Sequence, residues 1–269
     1  MAKQNTHLEH LEDDILNQGS NGGRNAIAFL RELGKMLTEP VSGVGVTTKW
    51  DGAPAVICGK HPTTGRFFVG TKGVFAKMPK ICMNDEDVDR FYSGELANKL
   101  KMCLRLLPQV PMKGVLQGDL LFTKGDVSTR KMNGQKCHTF MPNTITYAVP
   151  VNTPMGKKVA TSQLGIVFHT TYTGGPTLRD MKPGFGVDAK RMQASPNVAV
   201  FSSEFTDATD ASRFNAAERG KYDLLVNRAE GSLKQASRFL DILQDQGEGK
   251  FMLSAMFKIY FNSFIHDHR

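Results

Sequence analysis

The chain has 269 residues, 40% hydrophobic and 22% charged, which is enough apolar material to bury a core as one large domain or two small ones and excludes a disordered chain. It contains no run of about 18 apolar residues, so no transmembrane helix is expected, and the opening MAKQNTHLEHLEDD lacks the apolar stretch of a secretory signal. The net charge of +8 favours an anionic partner. The four cysteines, Cys58, Cys82, Cys103 and Cys137, form no CxxC pair, which excludes a zinc ribbon and predicts reduced thiols in a cytoplasmic protein.

In chain order, Leu8, Leu11 and Ile15 mark a first helix. A Gly-rich break spans Gln18 to Gly23, and Ile27, Leu30, Leu33 and Leu37 mark a second helix that stops before Pro40. This predicts an N-terminal helical hairpin. His7 and His10 lie one turn apart, but two histidines without a third ligand do not make a metal site. From Val41 the period shortens. VSGVGVTTKW, the part of DGAPAVICG after its turn, and RFFVGTKG read as an antiparallel meander. A helix opened by the polar stretch MPKICMNDEDVDR is predicted to run through ELANKLKMCLRLL to Pro108. KGVLQGDLLFT, NTITYAVPVN, QLGIVFHTTYTG and NVAVFSSEF read as four further strands. After Asp207, Leu225, Ala229, Leu233, Ala236, Leu240 and Leu243 trace a helical stripe, and Met252, Met256 and Ile259 a last helix. The fold class is α+β, divided into residues 1–206 and a C-terminal helical segment, 207–269.

The strongest chemical signal is Lys49-Trp50-Asp51-Gly52. An unperturbed lysine is protonated and a poor nucleophile, but burial and nearby cations free its lone pair. A lysine held at a strand end beside a nucleotide is placed to attack an α-phosphate. Gly52 permits a sharp turn and a close backbone approach. Asp51, two residues on from Lys49 in an extended chain, is set to orient that lysine or a metal.

With the motifs downstream of it, this segment resembles the lysine-adenylylating nucleotidyltransferases: ATP-dependent DNA ligases, RNA ligases and mRNA capping enzymes. Lys49 matches the lysine that takes a nucleoside monophosphate as a phosphoramidate. Phe68-Val69-Gly70-Thr71-Lys72-Gly73 is similar to the next motif in its phage RNA ligase form, and the likeness implies a phosphate contact for Lys72. Leu116-Gln117-Gly118-Asp119-Leu120-Leu121 is similar to a strand whose acid binds ribose or metal, with Asp119 where the family has Glu. Gly165-Ile166-Val167-Phe168-His169 resembles the strand whose aromatic stacks on the base, which implies that role for Phe168. The likeness covers residues 41–175. HLEHLEDDIL, KWDGAPA and PNTITYAV also resemble proteins of large tailed phages, cyanophage types in particular.

The resemblance implies an antiparallel-sheet adenylation domain using ATP and Mg²⁺. Nucleic acid, RNA more than DNA, is then the acceptor of AMP, and no membrane is involved. It also exposes departures. Ala53 and Pro54 stand where many ligases carry an Arg after KxDG. The later Glu-Gly motif has two candidates: Glu230-Gly231, inside a helical stripe, and Glu248-Gly249-Lys250, between helices. Lys157-Lys158 precedes the stacking strand, out of order for the last motif. Either a C-terminal part carries the remaining motifs, or the protein is a divergent, silent nucleotide- or nucleic-acid-binding member. A guanylyltransferase is the rival within the superfamily. Lys124, Arg130, Lys131 and Lys136, and also Lys182, Lys190 and Arg191, are candidate phosphate contacts.

Overall fold

A computed structural model describes residues 11–38, 48–204, 213–245 and 253–267. Its elements are α1 (Leu11–Met36), β1 (Ala55–Lys60), β2 (Phe67–Gly70), α2 (Asp85–Phe91), α3 (Gly94–Leu106), β3 (Val115–Thr123), β4 (Ser128–Met132), β5 (Gln135–Phe140), β6 (Tyr147–Pro150), α4 (Pro154–Thr161), β7 (Leu164–Thr173), β8 (Lys182–Phe185), β9 (Val198–Phe201), α5 (Ala216–Asp245) and α6 (Leu253–Asp267). The fold is α+β. The contacts divide it into two units, Met1–Val46 with Thr206–Arg269, and Thr47–Phe205. The N-terminal helical segment, expected beside the strands, therefore belongs with the C-terminal helices. The predicted strand VSGVGVTTKW lies outside the described residues over 41–47 and is irregular backbone at 48–50, and His7, His10 and the 248–250 motif lie outside the described residues.

In the helical unit, α1 breaks where the glycines predict. Gly19 has φ 59° and ψ −137°, outside helical space. The bend brings Gly22 against the carbonyl of Asp14, where a Cβ would sit 1.8 Å from that oxygen. α1 then runs antiparallel to α5. Asp241 accepts the backbone N–H of Ser20 at 2.7 Å, Tyr222 donates to the Leu30 carbonyl at 2.6 Å, and Arg219 donates to the Gly34 carbonyl at 2.7 Å. Gly23 and Gly34 let the helices close, since each faces a side chain of α5, Leu233 and Tyr222 respectively. Asn215 and Glu218 exchange backbone N–H bonds in a capping box that starts α5.

The second unit carries a sheet of order β2-β1-β3-β7-β8, with β9 pairing parallel to β7. The other pairs are antiparallel. Alternation sorts its residues onto two faces. Val56, Cys58, Leu116, Leu120, Ile166, Phe168 and Val200 point to one face, where Ala97, Leu100 and Cys103 of α3 complete the main core. The opposite face holds two smaller clusters. Leu121, Phe122, Val167, Ala199 and Phe201 meet Phe140 of the smaller sheet, β4-β5-β6. Ile57, Phe68, Val115 and Tyr172 gather with Val74 and Leu178.

Three strands, β4, β5 and β8, and the helix α4 have no clear signal in the sequence. β4 is exposed at every position, so it shows no alternation, and it is joined to β5 by Asn133-Gly134, both at positive φ. α4 is only eight residues long, started by Thr153 as N-cap and Pro154.

Candidate functional site

The Lys49–Gly52 segment is irregular backbone tied down on three sides. Thr48 donates its N–H to the Ser203 carbonyl at 2.7 Å. Trp50 packs its ring 4.7 Å from Tyr147 and 5.3 Å from Phe201, and its indole N–H reaches the Ser202 carbonyl at 3.2 Å. Ala53 and Pro54 then join the backbone of Leu120, with N–H···O distances of 2.9 and 3.1 Å. The half-buried Trp50 thus anchors the motif, and Lys49 is left exposed.

Gly52 lies against Asp119. A Cβ there would come within 2.5 Å of the Asp119 Cβ and 2.8 Å of the Leu120 carbonyl oxygen, so the position accepts only glycine without movement. Asp119 stands on β3 opposite Ala55 of β1 and Val167 of β7. Lys72, exposed, opens the 3-10 turn Lys72–Phe75 that follows β2, with Thr71 as its cap. Gly52 and Asp119 are in contact, Lys49 stands three residues before Gly52, and Lys72 follows β2, the strand beside β1.

A residue without an assigned role joins them. β7 carries an irregularity between its pairings with Gln117 and Gly118, which leaves His169 as the extra residue. Its Nε2 stands 3.8 Å from Asp119 Oδ1, its Nδ1 is 2.8 Å from the Thr170 hydroxyl, and both His169 and Asp119 side chains are 19% exposed. Gln117, accepting from the Tyr172 hydroxyl at 2.7 Å, extends this polar strip along β3. The strip lies between the two apolar clusters of that face. Sequence alone signals His169 only as a neighbour of Phe168, because a bulge is not visible in one strand.

Two expected site residues serve the fold instead. Asp51 was expected to orient Lys49 or a metal. Its carboxylate accepts the Thr144 hydroxyl at 2.7 Å, the Asn143 amide at 2.9 Å and the Thr144 N–H at 3.1 Å, and its own N–H donates to Tyr147 at 2.6 Å. The Thr144 hydroxyl, then Asn143 and the Thr144 N–H, hold its carboxyl below the usual carboxylate range, with a smaller pull from the Lys49 charge. Asp51 fastens the β5–β6 loop to the Lys49 turn. Phe168 was expected to stack on a base. It is 0% exposed, in the core beneath α3, on the sheet face away from Asp119, and has no ring face open to a ligand.

The other candidates take structural or surface positions. Glu230 is inside α5 and pairs with Arg31 at 2.7 Å and Lys234 at 3.5 Å, as the helical stripe predicts. Lys158 donates to the carbonyls of Gln193 and Ser195, and burial lowers its pKa. Arg130, Lys131 and Lys136 lie on the β4–β5 hairpin. Cys58, Cys82, Cys103 and Cys137 are all free and buried, and burial pushes the Cys103 thiol up to about 12.

For a divalent metal, the donor set is small. Among the described residues no three His, Cys, Asp or Glu side chains gather as a cage. Asp119 alone offers a carboxylate beside Gly52 that no protein hydrogen bond is shown to occupy. That fits a Mg²⁺ ion held by one carboxylate together with substrate phosphates and water.

A family model matches residues 5–269. The chain belongs to DUF6267, a family of unknown function. No curated protein and no solved structure matches it. The DUF6267 match runs through the residues of both units.

Proposed function

We propose that this DUF6267 protein is a lysine nucleotidyltransferase, most like an RNA ligase. The observation that carries the reading is the seating of Gly52 on Asp119, with Lys49 three residues before it and Lys72 in the turn that follows β2. A nucleophile, a carboxylate and a cation are what phosphoryl transfer needs for attack, metal binding and charge compensation.

Lys49 Nζ attacks the α-phosphorus of ATP through its lone pair. The N–P bond forms as the bond from the α-phosphorus to the bridging oxygen breaks, pyrophosphate leaves with that electron pair, and the proton from nitrogen passes to water. Lys72 offsets charge on the phosphates. Asp119 holds the metal or the ribose, with His169 Nε2 3.8 Å from its carboxylate. Mg²⁺, when bound, withdraws charge from the phosphate oxygens. AMP then passes to a 5′-phosphate, and a 3′-hydroxyl displaces it. Base recognition falls to a residue other than Phe168.

A second reading, a silent nucleotide- or nucleic-acid-binding protein, draws support from the structural work of Asp51 and Phe168. Incubation with α-labelled ATP or GTP and Mg²⁺, followed by a denaturing gel, separates the readings. The nucleotidyltransferase predicts label that Lys49→Ala abolishes and Asp119→Ala reduces. GTP label without ATP label assigns the guanylyltransferase, and label surviving Lys49→Ala excludes the nucleophile.

A further inference from the structure

Between Asp126 and Asp180 the chain has no acidic residue, while Arg130, Lys131, Lys136, Lys157, Lys158 and Arg179 lie in that stretch. It includes the whole of the smaller sheet and α4. β4 is an edge strand exposed at all five positions. The register sets Lys131 directly opposite Lys136, with Thr129 opposite His138 next along the same face. Directly opposed side chains are about 5 Å apart at Cβ, and like charges there are destabilising. Among the described residues no acid pairs with Arg130, Lys131 or Lys136. The hairpin thus holds together a repulsion that a bound phosphate between the two ammonium groups relieves.

We propose that the β4–β5 hairpin is a binding surface for the phosphodiester backbone of a polynucleotide strand. Its neighbours on that face, Thr129 and His138, are polar hydrogen-bonding groups. Met132 at the tip and Met141 and Ile145 in the β5–β6 loop are exposed apolar side chains at opposite ends of β5, and they form no continuous apolar face for a lipid surface. The hairpin also connects to the Lys49 turn. Asp51 accepts from Asn143 and Thr144 in the loop between β5 and β6, and Trp50 packs on Tyr147 of β6. The strand β5 that carries Lys136 thus runs on, from Phe140, into the loop that Asp51 holds. In making the bound polynucleotide the acceptor of AMP, the proposal rests on the nucleotidyltransferase reading; as a phosphate-binding surface it rests on charge and register alone.

The test is fluorescence anisotropy of the full chain with a labelled single-stranded oligoribonucleotide, and with its deoxy counterpart, over a range of salt. Lys131→Gln with Lys136→Gln is expected to weaken binding about tenfold at low salt. It should also flatten the slope of log affinity against log salt by about 1.4, at about 0.7 per phosphate on a single strand. Melting should be unchanged or raised, because the opposed charges are gone. Binding and slope equal to wild type would overturn the proposal. So would phosphatidylserine vesicles binding with the same dependence on these lysines while the oligonucleotides do not. Lys49 labelling is measured in parallel. If Lys49 takes no label but oligonucleotide binding still depends on Lys131 and Lys136, the nucleotidyltransferase reading fails and the hairpin surface stands.

Discussion

Gly52 sits so close to the Asp119 Cβ and the Leu120 carbonyl that its position admits only glycine without movement. Gly52→Ala is expected to cost about 1–3 kcal/mol by overpacking, read as a lower urea midpoint, and to reduce Lys49 labelling in the folded protein. Asp51 gives a pH signature. Its folded pKa is lowered, chiefly by the Thr144 hydroxyl, so its contribution is complete above the unfolded value of about 3.9 and drains away as pH falls through the lower folded value. Unfolding midpoints between about pH 5 and 2 should therefore fall less steeply in Asp51→Asn than in wild type. Equal slopes would remove Asp51 from its role as the loop's anchor. At this scale the close backbone approach at Gly52 is legible in the sequence, because a tight turn at a glycine is a local feature. The stacking role of Phe168 was not readable that way, because its face depends on the pairing of β7 with β3: Asp119 is opposite Val167, and one residue along turns the side chain to the other face.

The same pairing explains Gly118 at the scale of elements. A Cβ there would sit 2.4 Å from the Val167 carbonyl oxygen and 2.8 Å from the Phe168 ring, so the glycine of the Gln-Gly-Asp run serves the β3–β7 contact and not a ligand. Phe168→Ala is expected to cost about 3–5 kcal/mol of stability, measured by denaturation, while nucleotide affinity per folded molecule stays at the wild-type value. A loss of affinity with little change in stability would restore the stacking role. β1, β2, β3, β6, β7 and β9 are legible from runs of apolar and β-branched residues between turn signals. β4 is not, because Ser-Thr-Arg-Lys-Met is exposed throughout and leaves no alternating pattern to read. That same lack of burial frees its cations for a partner.

Over the whole molecule, the helices at the two ends of the chain form one unit and the strands between them another. No local pattern predicts that Ser20 meets Asp241 or that Arg31 meets Glu230, since such contacts join residues about 200 positions apart. The +8 charge, diffuse in composition, becomes specific in the fold: the acid-free stretch puts its cations on the smaller sheet, α4 and their neighbours, fastened by Asp51 to the Lys49 turn. The central claim is that Lys49 takes a nucleotidyl group. Its most direct test is mass spectrometry of the intact protein after incubation with ATP and Mg²⁺, with peptide mapping of any adduct. The account predicts a gain of one AMP, mapped to Lys49 and absent from Lys49→Arg. An unmodified mass with every nucleoside triphosphate, or an adduct on another residue, would contradict it.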